Sequence, residues 1–504
     1  MKIVSSEAMA RIDGRAQAEF AFPSLVLMED AGVKAWAALR RVVWGGRRPR
    51  GRIVFVAGRG NNGGDALVMA RQAEVEKFGP LTIVLAGGRP ERESDPGRNL
   101  AAVEAMGMEI IDWPVQHDLV TSRIAEAAWI IDGIAGTGIR GALRPPLSDI
   151  VACMNQAPGK RAALDVPSGI GDGYRRDSPA VQADVTLTMG LPKLCLYLPR
   201  ARTLCGRIYV IPVGFPPALV EGPGIAGELL STRAWRKLAP VIPADTYKNR
   251  RGHLAVFAGA RGTTGAAWLC ATAAARARIG LVTLFADAET YPILAPKLTS
   301  VMCRPWDPAV PRGKPAWGHA SYSGVLVGPG WGLGDARAAW LDSLFALPIR
   351  GVVDADAITL HGRSAAARRM DLGGRWVITP HPGEFTRLTG ADQDSVLDDP
   401  VGNALAASDR LNAVVVLKGH CTVVAAPGGR FWILDGGNPA LATGGSGDVL
   451  AGLVAAGIAG GIPPVEAALF GVSLHAHVGL AATRRRGWFL AEDLVPLVSR
   501  VLWT

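Results

Sequence analysis

A chain of 504 residues, 49% hydrophobic and 19% charged, has material for two to four domains and a large buried core. Glycine (62) and proline (35) together stay below the roughly 25–30% that marks disordered or collagen-like chains. The net charge of +10 suits a small anionic ligand, but its densest runs, Arg47, Arg48, Arg50, Arg52 and Arg484–Arg486, are too short for a nucleic-acid surface, so no nucleic-acid partner is expected.

Short β-branched runs alternate with Ala-rich stretches along the chain. In the first part the pattern predicts strands over Ile53–Ala57, Leu81–Ala86, Trp129–Asp132, Ala162–Val166, Val185–Met189 and Arg207–Val213. Strands alternating with helical patterns call for a mostly parallel sheet covered by helices. The Pro- and Gly-rich segment Phe215–Glu228 marks a boundary, so the expected domains are 1–221 and 231–504, joined by a linker over 222–230. The second series is Leu254–Ala258, Leu281–Phe285, Val325–Val327, Val352–Asp354, Trp376–Ile378, Val414–Leu417, Thr422–Ala425 and Phe431–Leu434, with close-packing helices over Gly265–Ile279 and Val449–Ala459. The fold class is therefore α/β, with a Rossmann-like three-layer domain first and a second α/β domain after it.

Six cysteines without a CxxC pair read as reduced thiols rather than a disulfide framework. Met1 to Asp13 lacks the apolar run of a signal peptide, and the longest purely apolar run, Val449–Ile462, falls short of the about 20 residues that span a bilayer. A cytoplasmic protein with no membrane partner is expected, as an oligomer of identical chains.

The first strand runs into GRGNNGGDA (Gly58–Ala66) and then a helical pattern over Leu67–Phe78. A glycine-rich turn at a helix N-terminus presents unpaired amides that take phosphate. A tight turn capped by Asn and Asp leaves the same trace, and the pattern is neither GxGxxG nor a P-loop. Two further strand ends, IIDGIAGTGIRG (Ile130–Gly141) and ALDVPSGI (Ala163–Ile170), carry polar residues. Ligands of open parallel sheets bind outside such carboxyl ends. Asn62, Asp132 and Ser168 would converge there as oxygen donors for a hard cation, and Asp165 follows an apolar strand as a candidate general base.

Together with LMEDAG (Leu27–Gly32), these segments resemble the YjeF N-terminal domain, the NAD(P)H-hydrate epimerase family, over about residues 1–220. The resemblance implies that Asn61, Asn62, Gly63, Gly64 and Asp65, with Gly136, Thr137, Gly138, Ile139, Arg140, Gly141 and Ala142, hold the substrate and its phosphates. It also implies that Asn62, Asp132 and Ser168 ligate K+, and that Asp165 binds the substrate and acts at the epimerising carbon. Asp30 stands where that family has Asn, and Ala66 where it has Gly.

In the second half, NPALATGGSGDVLAGLVAAGIAGG (Asn438–Gly461) sets GGSGD directly before an Ala/Gly helix. The amides of Gly445 to Gly447 would form an anion hole, with Asp448 as a base toward a substrate hydroxyl, an arrangement that resembles the ribokinase-like fold. VLVGPGWG (Val325–Gly332), VVDADAI (Val352–Ile358), ITPHPGE (Ile378–Glu384) and VVLKGHCT (Val415–Thr422) read as strand ends facing the same ligand, the last two offering His381 and Lys418. His475 and His477 are two apart on a helical stretch and point to different faces, so no metal cluster is expected in this half.

The ordered set, which begins with GARGTTGAA (Gly259–Ala267), resembles the ADP- or ATP-dependent NAD(P)H-hydrate dehydratases over about residues 230–504. That resemblance implies that Ala266, Gly330, His381 and Asp448 line the hydrated nicotinamide nucleotide, while Lys418, Gly419, His420, Cys421, Thr422 and Gly447 hold the adenine nucleotide, with Mg2+. ARIGLVT (Ala277–Thr283) departs from the family's SGAGLVT at Arg278 and Ile279. The two halves together resemble the bifunctional repair enzymes for hydrated NADH and NADPH. The resemblance implies interconversion of R- and S-NAD(P)HX, then dehydration of the S form at the expense of ADP, giving AMP and phosphate. A ribokinase-class small-molecule kinase would explain only the second half. An interaction scaffold built on the first fold would expect an eroded pocket, yet NNGGD, Asp132, Asp165 and Ser168 are intact.

Overall fold

Ile53 and Phe55 point to one side of the first strand and Val54 and Val56 to the other, and all four are buried, in two separate apolar clusters. A strand apolar on both faces requires helices above and below it. The computed structural model supplies them. It describes residues 1–139, 141–222, 227–307, 309, 321–363 and 370–503, and divides the chain into two compact units, Met1–Gly227 and Glu228–Thr504. Arg140 and residues 223–226 of the expected linker lie outside the described residues.

The sheet of the first unit contains β1 (Arg52–Ala57), β2 (Leu81–Ala86), β3 (Ile110–Trp113), β4 (Ala127–Gly133), β5 (Lys160–Leu164), β6 (Val185–Met189) and β7 (Arg207–Ile211). They lie in the order 3-2-1-4-5-6-7, every pairing parallel. The order reverses between β1 and β4, so the connections after these two strands leave toward opposite faces and open a crevice at their carboxyl ends. β3 is not evident from the sequence: its IIDW is a short, half-buried edge with little apolar run.

The second unit repeats the logic with β8 (His253–Phe257), β9 (Leu281–Ala286), β10 (Met302–Pro305), β11 (Gly324–Val327), β12 (Gly351–Val353), β13 (Trp376–Ile378), β14 (Val414–Leu417), β15 (Cys421–Ala426) and β16 (Arg430–Asp435). Their order is 16-15-14-13-12-11-8-9-10, parallel from β10 to β14 and antiparallel over β14, β15 and β16. The reversal here falls between β8 and β11. β10 leaves no strand signal in the sequence because it is a largely exposed edge ending in proline. The Ala- and Gly-rich composition is explained by close helix packing: a Cβ at Gly452 in the helix Ser446–Ala459 would overlap the Cys270 carbonyl oxygen of the helix Thr264–Ala275.

The helix Pro464–Arg486 is 23 residues long and apolar enough to cross a membrane by length and composition. Its apolar window is 67% buried inside the protein, and a Cβ at Gly471 would overlap Val454. It is packed as a core helix. Arg278, one of the two departures near a helix end, adopts the left-handed conformation (φ 66°) and donates to the Leu502 carbonyl.

Candidate active sites

The crevice between β1 and β4 is a cavity of about 680 Å³. Of the residues expected there, Asn61, Asn62, Asp65, Gly136, Thr137, Gly138, Ile139 and Asp165 line it. Gly63, Gly64, Gly141 and Ala142 are not among the lining residues. The two loop glycines are needed for packing: both are buried, a Cβ at Gly63 would overlap the Gly58 carbonyl oxygen, and one at Gly64 would overlap Met28. The Asn61–Val75 helix therefore seats its first turn against the β1 loop, which leaves Gly60, Asn61 and Asn62 at the cavity wall. Ala66 is fully buried, close to where a Cβ at Gly133 would fall, at 2.6 Å. Asp30 pairs with Lys34 at 2.7 Å and accepts from the Gly214 amide at 3.1 Å, so it ties a helix to the chain after β7.

Asp132 is fully buried at the end of β4. Its carboxylate accepts from the Ser168 hydroxyl at 2.6 Å, the Ser168 amide at 2.8 Å and the Ile134 amide at 3.2 Å. Burial pushes its carboxyl up to about 6, against the pull of these three hydrogen bonds. Asn62 is buried beside them, and neither its carbonyl oxygen nor its amide nitrogen has a hydrogen-bond partner. An orphaned buried amide is costly unless something fills the space before it.

Asp165 follows β5 with a left-handed backbone (φ 61°) and forms an ion pair with Lys193, whose side chain is only 1% exposed. Lys193 also donates to the Met189 carbonyl, and the Met189 amide donates to Asp165 at 3.2 Å. Two more carboxylates face this pair. Asp13 is pushed up to about 6, first by burial, with Lys193 lowering it and Asp165 raising it. Asp65 is pushed well above the usual carboxylate range by burial, then by Asp165 and Asp13. Sequence reasoning does not find Lys193 or Asp13. Asp13 has one detectable signal: Met9, Asp13 and Gln17 are spaced four apart on the helix Ser6–Phe20, and all three line the cavity. Lys193 has no local signature, because its partner lies across the sheet.

In the second unit, Asp448 stands in the first turn of the helix Ser446–Ala459, preceded by Gly445 in the left-handed conformation (φ 88°). A Cβ at Gly445 would meet Leu269 and Ala491, so only glycine makes this turn. Around Asp448 gather Asp354, Asp356, Glu384 and Lys418. Lys418 is expected from the sequence to reach a phosphate; here its ammonium lies 2.9 Å from the buried Asp354 and 3.6 Å from Glu384, and a Cβ at Gly447 would sit 3.6 Å from it. Thr379 holds the same Asp354 oxygen at 2.7 Å. His381 caps the helix Pro382–Thr389: its Nδ1 accepts from the Gly383 and Glu384 amides, and Glu384 accepts from the His381 amide at 2.8 Å. Its Nε2 is 3.4 Å from Glu384. Ala266 and Gly330 meet where the chain leaves β8 and β11: a Cβ at Gly330 would stand 3.0 Å from that of Ala266, and Thr263 donates to the Gly330 carbonyl at 2.7 Å.

Lys418, Gly419 and His420 form the turn between β14 and β15, and Cys421 and Thr422 open β15. The sequence offers no metal cluster in this half, weighing only His475 and His477; the structure adds a group of potential ligand atoms at this turn. His420, Cys421 and Asp435 bring their ligand atoms within 4.8 Å of one another, because antiparallel pairing joins residues that no local spacing connects.

Two family profiles match the chain: NAD(P)H-hydrate dehydratase over residues 254–500, and YjeF-related protein N-terminus over residues 24–195. The chain is 36% identical to a bifunctional NAD(P)H-hydrate repair enzyme of Moorella thermoacetica, across 100% of this chain and 97% of that protein. It is 32% identical to the enzyme of the same description from Coxiella burnetii, across 93% of each. Among solved structures, an ADP/ATP-dependent NAD(P)H-hydrate dehydratase from Bacillus subtilis, co-crystallized with ATP and Mg2+, aligns with 55% of this chain and 97% of its own at 26% identity and a TM-score of 0.49.

Proposed function

The chain belongs to the family of bifunctional NAD(P)H-hydrate repair enzymes, and from that premise we propose that each unit performs one of the two reactions at its strand-end crevice. The first interconverts the R and S hydrates of NADH and NADPH. The second dehydrates the S hydrate at the expense of ADP, releasing AMP and phosphate. The observation that carries this reading is that each unit gathers an acid–base carboxylate at the carboxyl ends of its parallel strands: Asp165, after β5, paired with Lys193 in one; Asp448, on its glycine turn beside Asp354, Glu384 and Lys418, in the other.

In the second unit Asp448 takes the proton of the substrate hydroxyl as its oxygen attacks the β-phosphoryl group of ADP, and AMP leaves. The ring nitrogen lone pair then expels phosphate, a better leaving group than hydroxide, and loss of a proton from the adjacent ring carbon restores the dihydronicotinamide. Four carboxylates against one ammonium would repel a bare polyphosphate, so the donor set fits a nucleotide that arrives with Mg2+, which Asp356 would help to hold. Mg2+ held there would supply positive charge against that of the transferred phosphoryl group. In the first unit the hydrated carbon adjoins the ring nitrogen. Asp13, whose carboxyl titrates near 6, protonates the departing hydroxyl; the carbon becomes planar; water returns to the other face and gives its proton to Asp165.

The orphaned amide of Asn62 beside Asp132 and Ser168 fits a hard cation, and K+ held by these three would supply a fixed positive charge at the cavity wall. The first unit is expected to be more stable in potassium chloride than in choline chloride, by about 2.7 kcal/mol at a hundredfold excess over Kd, and so to unfold at a higher temperature. Asn62→Ala removes the difference; equal midpoints for the native chain in the two salts would exclude the site.

The whole reading is tested by mixing the protein with both epimers of NADH hydrate and with ADP or ATP, and following NADH absorbance. Complete recovery is expected, faster with ADP. Recovery that stalls at the S fraction removes the epimerase assignment. A stable phosphorylated product in place of NADH and free phosphate would favour a small-molecule kinase.

A further inference from the structure

The open end of the β15–β16 hairpin carries three donors of different chemistry, and the reactions above give Asp435 no task. β15 and β16 pair Cys421 directly with Asp435, and directly opposed residues of an antiparallel pair share one face. His420, in the bend before β15, brings its Nε2 to 3.8 Å from Asp435 Oδ1, and Cys421 Sγ lies 3.7 Å from the same oxygen. The bend is braced across the hairpin: the Gly436 amide donates to the His420 carbonyl at 3.2 Å. Cys421 is buried, Asp435 partly so, and His420 stands at the solvent edge.

Zinc bonds of about 2.0–2.3 Å at tetrahedral angles set ligand atoms roughly 3.3–3.6 Å apart. Two edges of the present triangle thus need to shorten by only about 0.2–0.5 Å, while the third, between His420 and Cys421 and within 4.8 Å, closes by a turn of the exposed His420 ring. The donor types also discriminate. A thiolate and an imidazole prefer a borderline metal such as zinc, whereas Mg2+ takes oxygen ligands alone.

We propose that His420, Cys421 and Asp435 form a binding site for a zinc-class divalent cation, with its fourth position left to water. Binding converts the Cys421 thiol to a thiolate and releases its proton to solvent, so uptake of the metal liberates about one proton per ion at pH 8.

The probe is Co2+ added to the full-length, metal-stripped protein. An intense near-ultraviolet band from thiolate-to-cobalt charge transfer is expected, with visible bands of four-coordinate cobalt, displaced by Zn2+ and untouched by excess Mg2+. Cys421→Ser abolishes the charge-transfer band. His420→Ala and Asp435→Asn each weaken cobalt binding by about tenfold or more. Circular dichroism and the unfolding midpoint of each variant separate lost ligation from lost folding. A charge-transfer band that survives in Cys421→Ser, native affinity in both other variants, or displacement of cobalt by Mg2+ would overturn the assignment.

Discussion

An Asp448→Asn chain is expected to lose its dehydratase turnover of the S hydrate by about 10²–10⁴-fold while its second unit becomes harder to unfold at alkaline pH. Both effects come from one environment. The Asp448 carboxyl is pushed up to about 7, first by burial and then by Asp354, with Lys418 pulling the other way and Glu384 and Asp356 adding to the push. A general base works only when ionised, so kcat/KM of the native chain should climb with pH to about 7 and then level. The stability effect has the opposite sign. A carboxyl whose folded value lies above its ordinary 3.8 contributes stability that is complete below about 4 and is lost as pH rises through about 7. Every tenfold displacement of an ionisation equilibrium between the unfolded and folded chain corresponds to about 1.4 kcal/mol. Asparagine keeps the shape and carries no charge, so it escapes that loss. Thermal unfolding of both proteins at pH 4 and pH 8, beside turnover of the S hydrate with ADP, checks the pair of effects. Native turnover in the variant removes Asp448 from the chemistry, and a lower midpoint than the native chain at pH 8 contradicts the electrostatic account.

The second large effect is expected at the Asp165–Lys193 pair. Asp165→Asn should lower epimerisation by about 10²–10⁴-fold. The change is conservative for the backbone, since asparagine tolerates the left-handed conformation that Asp165 adopts. Lys193→Met should lose epimerisation too and, in addition, destabilise the first unit by about 3–5 kcal/mol, because it leaves one member of a buried pair without its counter-charge. Turnover of purified S hydrate by the same chain provides the internal control, since it draws only on the second unit. The decisive comparison is epimerisation against unfolding midpoint in the two variants. Undiminished epimerisation in Asp165→Asn would leave the pair a purely structural one, and an unchanged midpoint in Lys193→Met would mean that the ammonium carries no buried-pair energy.

Much of the architecture is legible because burial on both faces leaves a local mark. Ile53–Ala57 and Val414–Leu417 are unbroken apolar runs, and their burial is complete. The edge strands Ile110–Trp113 and Met302–Pro305 carry no such mark, since an edge buries little and tolerates charge and proline. Glycine patterns are visible too, but not their purpose. GNNGGD reads as a phosphate loop, and the structure adds that Gly63 and Gly64 let the helix seat against Gly58 and Met28 while Asn61 and Asn62 reach the cavity. His381 likewise stands out in its turn, and the structure adds that its ring caps the helix it precedes.

By itself the sequence determined the element types, the α/β class and the motif residues Asn62, Asp132, Asp165 and Asp448, because helix and strand periodicity and turn chemistry are properties of neighbouring residues. Only the tertiary structure decided which further residues join them. The strand orders 3-2-1-4-5-6-7 and 16-15-14-13-12-11-8-9-10 set where each crevice opens. Strand pairing brings Lys193 to Asp165 and His420 and Cys421 to Asp435, and the packing of the helix Ser6–Phe20 brings Asp13 to the first pair. Such contacts are made by crossover connections and register, which are selected by the total burial of a whole sheet and leave no periodic trace in any one segment of the chain.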